Sequence, residues 1–309
     1  MRHSTRIAAL GVLAALGLTG TARAGEPLFG YVYTTDLLPQ GKSEIEQWGT
    51  WRHQKAHGDF DLLEGRTAYE YGVTDAFQLA GYVNYSYAHA YHDAVDGSTV
   101  PPEAFADYTV GADQHFTAKR YVGVSVEGIW RLASPYTSPV GVAVYVEPTV
   151  GRNLRELESK LILQKNFLDD KLVFAANLTL AQEGRYLPAD PEADAGSIDA
   201  RAHWDHETDA NLGVAGSWRF TDNWSAGVEL EHEREYSSFS LRSRYRTNLA
   251  NYIGPTLHYA GRHMFFTAAL LNQVGGGRSF DGSDVIEGGR NYADDFERYR
   301  LRVKLGYAF

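Results

Sequence analysis

The sequence predicts an all-β protein, a single up-and-down antiparallel β-barrel of about twelve strands that crosses a membrane. Three observations predict this fold. The C-terminal segment alternates strictly between apolar and charged residues, the N-terminal segment has the composition of a secretory leader, and short and long polar connections alternate along the chain. A secreted β-sandwich is the alternative, but it would not require long alternating segments throughout the chain.

The C-terminal segment, residues 296–309, has the pattern of a transmembrane strand. Successive side chains of a strand point to opposite faces, so alternate residues share one face. One face is apolar and the other is basic: Tyr299, Leu301, Val303, Leu305, Tyr307 and Phe309 against Arg298, Arg300, Arg302 and Lys304. A transmembrane barrel strand needs apolar residues toward lipid and polar residues toward the lumen. A soluble edge strand would rarely end the chain on an aromatic residue.

The N-terminal segment predicts export. Arg2 and Arg6 precede an apolar run over residues 7–18, and Ala22-Arg23-Ala24 follows it. This order matches a secretory signal peptide with a small-x-small cleavage site. The apolar run is too short to span a bilayer as a helix. We therefore expect residues 1–24 to be a signal peptide.

The connections come in two alternating classes. Asp, Asn, Gly and Pro mark the short turns, because these residues adopt turn conformations that strands cannot. The short turns are 72–75, 134–139, 167–170, 221–223 and 260–262, and the longer polar connections are 54–60, 91–120, 152–155, 184–206, 237–248 and 276–294. Barrels have short periplasmic turns and longer outer loops. Both termini are therefore expected in the periplasm.

The segments between these connections give the strands. Their predicted spans are 43–53, 61–71, 77–90, 121–133, 140–151, 156–166, 171–183, 207–220, 224–236, 249–259, 263–275 and 296–309. Counting 105–117 and 29–35 as strands would give fourteen. We prefer twelve, with 42–309 as the barrel and 25–41 as a periplasmic or lumen-entering segment.

Composition excludes several classes of protein. The formal net charge of −10 provides no basic face for nucleic acid. The chain has no cysteine, and after the leader no apolar run is long enough for a membrane helix. The 20 tyrosines and 31 glycines suit a barrel with aromatic girdles and a bent sheet.

Alternation within the strands predicts which charged side chains line the lumen. These candidates are Glu44, Glu46, Glu64, Arg66, Glu127, Arg131, Glu229, Glu231, Glu233, Arg300, Arg302 and Lys304. Closure of the barrel places the last strand beside the first, so we expect the basic row near Glu44 and Glu46. Two interpretations stay open. The charges neutralise each other across strands, or they form the segregated walls of a pore.

The sequence predicts no catalytic residue, metal site or cofactor. No Gly-x-Ser-x-Gly motif marks a nucleophile, although His232 and His258 lie on adjacent predicted strands. The pairs His89/His92 and His203/His206 lack the helix and third ligand that zinc would need.

Two features indicate partners at the membrane. Arg242, Arg244 and Arg246 alternate, and as a strand extension they would contact lipopolysaccharide phosphates or acidic loops. The strand that ends at Phe309 resembles the insertion signal of Gram-negative outer-membrane barrels. This resemblance implies that the barrel-assembly machinery recognises it in the cell outer membrane.

Two further segments resemble a group of proteobacterial outer-membrane barrels. They are Val140-Gly-Val-Ala-Val-Tyr-Val-Glu-Pro-Thr149 and Leu161-Ile-Leu-Gln-Lys-Asn-Phe167. The group is loosely related to barrels encoded with aromatic-degradation pathways of the phenol meta-pathway type. The resemblance implies a channel or uptake protein for a small, apolar or aromatic solute, and it supplies no ligand-binding residues.

We therefore expect passive passage of a small solute, selected by size and charge. A twelve-strand lumen is wider than an eight-strand one, which side chains fill, and narrower than an open sixteen-strand porin. Outer loops or residues 25–41 could close it. The alternatives are a structural or surface-interaction barrel with a closed, salt-bridged lumen, and a lipid-modifying enzyme of the outer membrane.

Overall fold

The computed structural model describes residues 27–189, 193–276, 285–287, 290–293 and 296–309; the expected signal peptide lies outside them. Twelve antiparallel strands form a closed barrel, in which the last strand pairs with both the first and the eleventh. They are β1 Ser43–His53, β2 Asp59–Thr74, β3 Phe77–Tyr91, β4 Phe116–Ala133, β5 Gly141–Gly151, β6 Leu154–Phe167, β7 Leu172–Leu187, β8 His203–Arg219, β9 Trp224–Tyr236, β10 Arg246–Ala260, β11 Met264–Gly276 and β14 Tyr299–Ala308. A two-stranded hairpin, β12 Val285–Glu287 and β13 Arg290–Tyr292, stands apart from the barrel sheet.

The twelve-strand prediction is confirmed, and the fourteen-strand alternative is wrong. Residues 29–35 form no strand, and of 105–117 only the last two belong to β4. The preceding loop instead contains a single helical turn, Glu103–Phe105, after Pro101 and Pro102. Proline has no N–H to donate to a strand ladder, which favours a loop at this point.

The outer surface identifies the environment of the barrel. Exposed aliphatic side chains such as Val126, Val146, Leu178, Leu212 and Leu230 form a band around it. Exposed aromatic side chains flank this band near both ends; examples are Tyr69, Trp130, Trp218, Tyr307 and Phe309 on one side and Trp51, Tyr85, Tyr121, Tyr186 and Tyr299 on the other. Water would not favour such a band, whereas the bilayer does. The protein is an outer-membrane β-barrel.

Among the described residues, no helix is long and apolar enough to cross a membrane.

The barrel closes with β14 beside β1, as expected, and Lys304 of the basic row lies close enough to Glu46 to interact with it electrostatically. Glu44 and Glu46 lie opposite Ala308 and Gly306, not opposite the basic row. Lys304, Arg302 and Arg300 lie opposite Trp48, Thr50 and Arg52 instead. Strand register depends on the stagger of the whole barrel, which the alternation within one strand does not determine.

The two ends of the barrel differ in their connections. The turn end carries the short links between β2 and β3, β4 and β5, β6 and β7, β8 and β9, and β10 and β11. The loop end carries the longer connections, the longest fully described one being residues 92–115, here called the lid loop. Phe105 of this loop is fully buried and packs with Phe60, Leu62, Ala88 and Phe116. The lid loop therefore covers part of the lumen from the loop end.

Candidate functional site in the lumen

Residues 27–41, here called the plug segment, cross the lumen of the barrel. Near its start, the Pro27 carbonyl accepts a hydrogen bond from the Thr267 hydroxyl on β11 at 2.6 Å. The next contact is on β9, where the Glu229 carboxylate accepts hydrogen bonds from the N–H groups of Gly30, Tyr31 and Val32 at 2.7, 2.7 and 3.0 Å. Glu229 is fully buried, so this contact lies away from solvent.

The plug segment then continues to the opposite wall. Asn177 on β7 accepts from the Tyr33 N–H at 2.6 Å and donates to the Tyr33 carbonyl at 2.9 Å. Gln164 on β6 accepts from the Thr35 N–H at 2.6 Å. Gln78 on β3 accepts from the Leu38 N–H at 2.8 Å. The segment thus contacts the wall at successive strands on its way to β1.

This binding follows from the backbone of the plug segment. Between residues 29 and 38 its peptide groups join no strand ladder, and a buried N–H or C=O must still be satisfied. Side-chain amides of Asn and Gln offer both a donor and an acceptor, so they bind a peptide unit as a neighbouring strand would. Alanines on the wall leave room for the apolar side chains: Phe29 and Val32 pack against Ala175 and Ala215.

Tyr33 lies at the centre of a cluster of aromatic and cationic side chains. Its ring centroid is 5.3 Å from that of Tyr145 and 6.4 Å from that of Trp48. The Lys160 and Lys304 ammonium groups lie 4.9 and 5.3 Å from the Tyr33 centroid. We call these four wall residues the Tyr33 cage. Such cations over ring faces are attracted by the ring quadrupole.

All twelve predicted lumen residues lie on inward faces of the wall, and the structure brings most of them into pairs or clusters. Arg300 donates to the Glu233 carboxylate at 2.5 and 2.8 Å, and its guanidinium is 3.7 Å from Glu231. Arg300 also contacts Glu297, a residue that strand alternation did not indicate. Buried pairs of this kind are costly to break, because one charge is then left without its partner.

A second cluster involves Arg66, which pairs with Glu147 and lies over the Tyr82 ring at 3.9 Å. The Tyr82 hydroxyl donates to Glu127 at 2.7 Å. Glu64 pairs with Arg52 at 2.7 Å. Sequence reasoning placed these side chains on the lumen face and could not assign their partners.

The remaining basic candidates contact rings, hydroxyls or backbone. Lys304 lies 3.8 Å from the Trp48 centroid, while the Arg302 Nε donates to Thr50 at 2.8 Å. Arg131 donates to the Thr35 carbonyl of the plug segment at 3.4 Å. Their role in conduction stays a prediction.

Sequence reasoning missed the neutral residues that hold the plug segment, above all Gln78, Gln164 and Asn177. From the sequence we considered charged side chains. A backbone without a strand partner is also bound by uncharged amides, which both donate and accept hydrogen bonds. The sequence carried no distinct signal for them. Gln164 and Asn177 lie on inward faces that also carry other polar side chains, such as Lys160 and Thr179.

The structure separates the two histidines considered for catalysis. His258 is buried on the inward face and shares a hydrogen bond with Thr267 at 2.8 Å. His232 lies on the outward face, where its Nδ1 is 2.7 Å from the Asn251 Oδ1. The two rings therefore cannot serve one site.

One acidic group among the described residues has metal-ligand spacing. Carboxylate oxygens of Glu207, Asp209 and Glu235 lie within 4.8 Å of one another on β8 and β9. The histidine pairs His89/His92 and His203/His206 do not form part of this group.

Ion pairs fix the lid loop to the wall. Asp107 accepts from Arg120 at 2.5 and 3.1 Å and from Asn153 at 2.6 Å. Partial burial raises the pKa of Asp107, but hydrogen bonding to Arg120 outweighs it and lowers this pKa below its ordinary value. Arg185 on β7 pairs with Glu103 of the same loop at 2.7 Å.

Arg242, Arg244 and Arg246 do not form the strand extension considered from the sequence. Residues Ser243–Tyr245 form a helical turn, and β10 starts only at Arg246. The three arginines therefore do not share one strand face.

Comparison with solved structures supports the fold. The chain is similar to an outer membrane channel from Pseudomonas putida F1, with 13% identity, a TM-score of 0.51, and coverage of 88% of this chain and 97% of that one. The β domain of the Bordetella autotransporter Brka matches with 10% identity and a TM-score of 0.50 over 87% of this chain and 100% of that one. The NanC porin matches with 9% identity and a TM-score of 0.48 over 85% and 98%. At these identities, the first two matches show likeness of the fold alone.

No curated protein sequence matches the chain. A family model does, and it covers residues 21–309, which include the plug segment and every strand of the barrel. The chain belongs to this family, described as a family of unknown function (DUF6662).

Proposed function

We propose that the protein is a gated channel of the outer membrane, which passes a small apolar or aromatic solute when the plug segment leaves the lumen. Selection is by size and charge, and no bond is made or broken. In this proposal the turn end and both termini of the barrel lie in the periplasm. The signal peptide, residues 1–24, is removed on export, and the barrel-assembly machinery recognises the strand ending at Phe309.

The observation that carries this proposal is the way the plug segment is held. Its backbone hydrogen-bonds to wall side chains and joins no strand ladder. Neutral bonds of this kind contribute about 1 kcal/mol each and those to the Glu229 carboxylate somewhat more, and burial of Phe29 and Leu37 adds to them. The barrel sheet closes through β1 and β14 without any contribution from the segment. Release of the plug segment therefore leaves the barrel ladder intact.

The Tyr33 cage supports an aromatic solute. A phenol ring of the chain itself already occupies a position between Trp48 and Tyr145, beside two ammonium groups. A ring of similar size fits the same environment once Tyr33 has left it. Lys160 is paired with Glu158, so the cage favours the ring itself through aromatic and cation–π contacts and does not require a charged substituent.

Single-channel recording tests the proposal. Residues 25–309, refolded and inserted in a planar bilayer, are expected to be closed most of the time with brief openings. Glu229→Ala removes the acceptor of three plug N–H groups and is expected to raise the open probability at least tenfold. Glu127→Ala is the matched control, since Glu127 bonds to Tyr82 of the wall instead.

A structural barrel with a permanently closed lumen is the second candidate, and the ion pairs of Arg300 with Glu233 and Glu297 favour it. The same recordings separate the two functions. Silence from correctly folded Glu229→Ala protein supports the structural barrel, and steps in proportion to salt concentration support the channel. Openings that are equally frequent in wild type, Glu229→Ala and Glu127→Ala would reject the plug segment as the gate.

A further inference from the structure

A polar group interrupts the outer wall of β9 and β10. The outward side chains of β9 are Trp224, Ala226, Val228 and Leu230 up to this point, and those of β10 include Leu257 and Ile253. Above them follow His232 and Asn251, which are direct cross-strand partners, and then Arg234. Arg234 is exposed on this lipid-facing wall.

These three side chains form a connected chain of hydrogen bonds. Asn251 Nδ2 donates to the Gly275 carbonyl at 3.0 Å, and its Oδ1 is 2.7 Å from His232 Nδ1. The Arg234 Nε donates to His232 Nε2 at 2.9 Å. Because Nε2 accepts this bond and Oδ1 can only accept, His232 Nδ1 donates to Asn251. The chain orients the guanidinium, whose two Nη groups have no protein partner in the part of the chain that is described.

The position of Arg234 corresponds to the level of the lipid headgroups. Ten residues separate it from Trp224, the aromatic residue where β9 begins at the turn end. At about 3.3 Å per residue these span roughly 33 Å along the strand. With a tilt of about 40°, the rise across the membrane is about 25 Å, which is the height of the apolar band of such barrels. Arg234 therefore lies at the boundary opposite the turn end.

We propose that Arg234, positioned by His232 and Asn251, binds a phosphate group of lipid A on the outer wall of the barrel. At this boundary the guanidinium reaches the headgroup region, and a phosphate matches its fork of donors. With the turn end in the periplasm, the loop end lies in the outer leaflet, where lipid A phosphates are the abundant anions. The proposal rests on this orientation and is independent of whether the lumen conducts.

The test is native mass spectrometry of folded residues 25–309 in detergent, titrated with bisphosphorylated lipid A. Arg234→Gln is expected to weaken binding about tenfold. Arg155→Gln is the matched control, because Arg155 is also exposed at the loop end but lies over the Trp204 ring at 4.7 Å without a histidine support. This control is expected to change binding less than twofold. Equal losses of lipid A binding in both variants would show that any exposed arginine at the loop end attracts the lipid, and would overturn the proposed site.

Two further measurements test positioning and lipid source. Asn251→Ala keeps the arginine and removes its support through His232, so a loss of at least threefold is expected. Wild-type affinity in Asn251→Ala would contradict the positioning role.

Dephosphorylated lipid A is expected to bind Arg234→Gln and wild type equally. If phosphatidylglycerol bound as tightly as lipid A and with the same dependence on Arg234, the assignment to lipid A would be wrong. Heat-modifiable migration on gels checks that every variant is folded.

Discussion

The plug segment and the lid loop both obstruct the lumen, but different interactions hold them. Wall side chains bind the backbone of the plug segment, mainly through Glu229, Asn177, Gln164 and Gln78. The lid loop is held by its own side chains, with Phe105 in an apolar cluster and Asp107 in an ion pair. The plug segment also buries Phe29, Val32 and Leu37 in apolar clusters with wall residues, so apolar packing contributes to both closures. The difference lies in the polar contacts, which are made mainly by the backbone in the plug segment and mainly by side chains in the lid loop.

Phe105→Ala is expected to have the largest effect and to open the lid alone. Removing a buried phenyl ring costs about 3–5 kcal/mol in a core. Amide hydrogen exchange in residues 92–115 should accelerate by more than a hundredfold, while exchange in residues 30–38 stays within a factor of three. Tyr108→Ala, a partly exposed ring in the same loop, serves as a control with a smaller effect. Equal acceleration in both segments would mean that plug and lid are one cooperative unit.

Glu229→Ala is expected to have the next largest effect, and it should act on the plug segment. Three N–H groups lose their acceptor, at a combined cost of about 2 kcal/mol after hydration in the released state. Exchange at Gly30, Tyr31 and Val32 should accelerate about thirtyfold, with the lid loop unaffected. Unchanged exchange at these amides would show that packing, and not Glu229, holds the segment.

Gly30→Ala tests the steric fit of the plug. A Cβ on Gly30 would lie 2.4 Å from the Ala269 Cβ, so the segment or β11 has to shift. Overpacking of this kind costs about 1–3 kcal/mol. Gly49→Ala is the matched control, because a Cβ there has no heavy atom within 4 Å. We expect exchange of residues 30–38 to rise about tenfold in the first variant only; an equal rise in both would refute the tight fit.

The smallest expected effect is a dependence of the lid on pH. Because the folded pKa of Asp107 is lowered, its contribution to stability is complete above the ordinary value near 3.8 and is lost as pH falls through the lower folded pKa. Pepsin cleavage within residues 92–115, corrected for pepsin activity, should rise a few-fold between pH 4.5 and 2.5. Asp107→Asn should be cleaved at the faster rate at both pH values. A persistent pH dependence in that variant would assign the effect to another group.

The sequence was sufficient for the strands and insufficient for their contacts. The alternating short and long polar connections bounded every barrel strand, and the period of two within strands gave the inward faces of Glu229 and Arg300, since a transmembrane wall imposes that period. The pairing of β1 with β14 was predicted, but not its register, which depends on the stagger of all strands together. The plug contacts were missed because an amide such as Asn177 has no periodic signal and its partner lies 144 positions away in the chain.

The bond between Gly30 and Glu229 joins residues 199 positions apart. Residues 27–41 precede all the strands that bind them, and the groups that bind them are distributed over β3, β6, β7, β9 and β11. Contacts of such high order form late in folding, because the intervening chain must first be organised. The plug segment therefore takes its final position only after these strands have paired, and the lumen of a newly folded barrel is open until then.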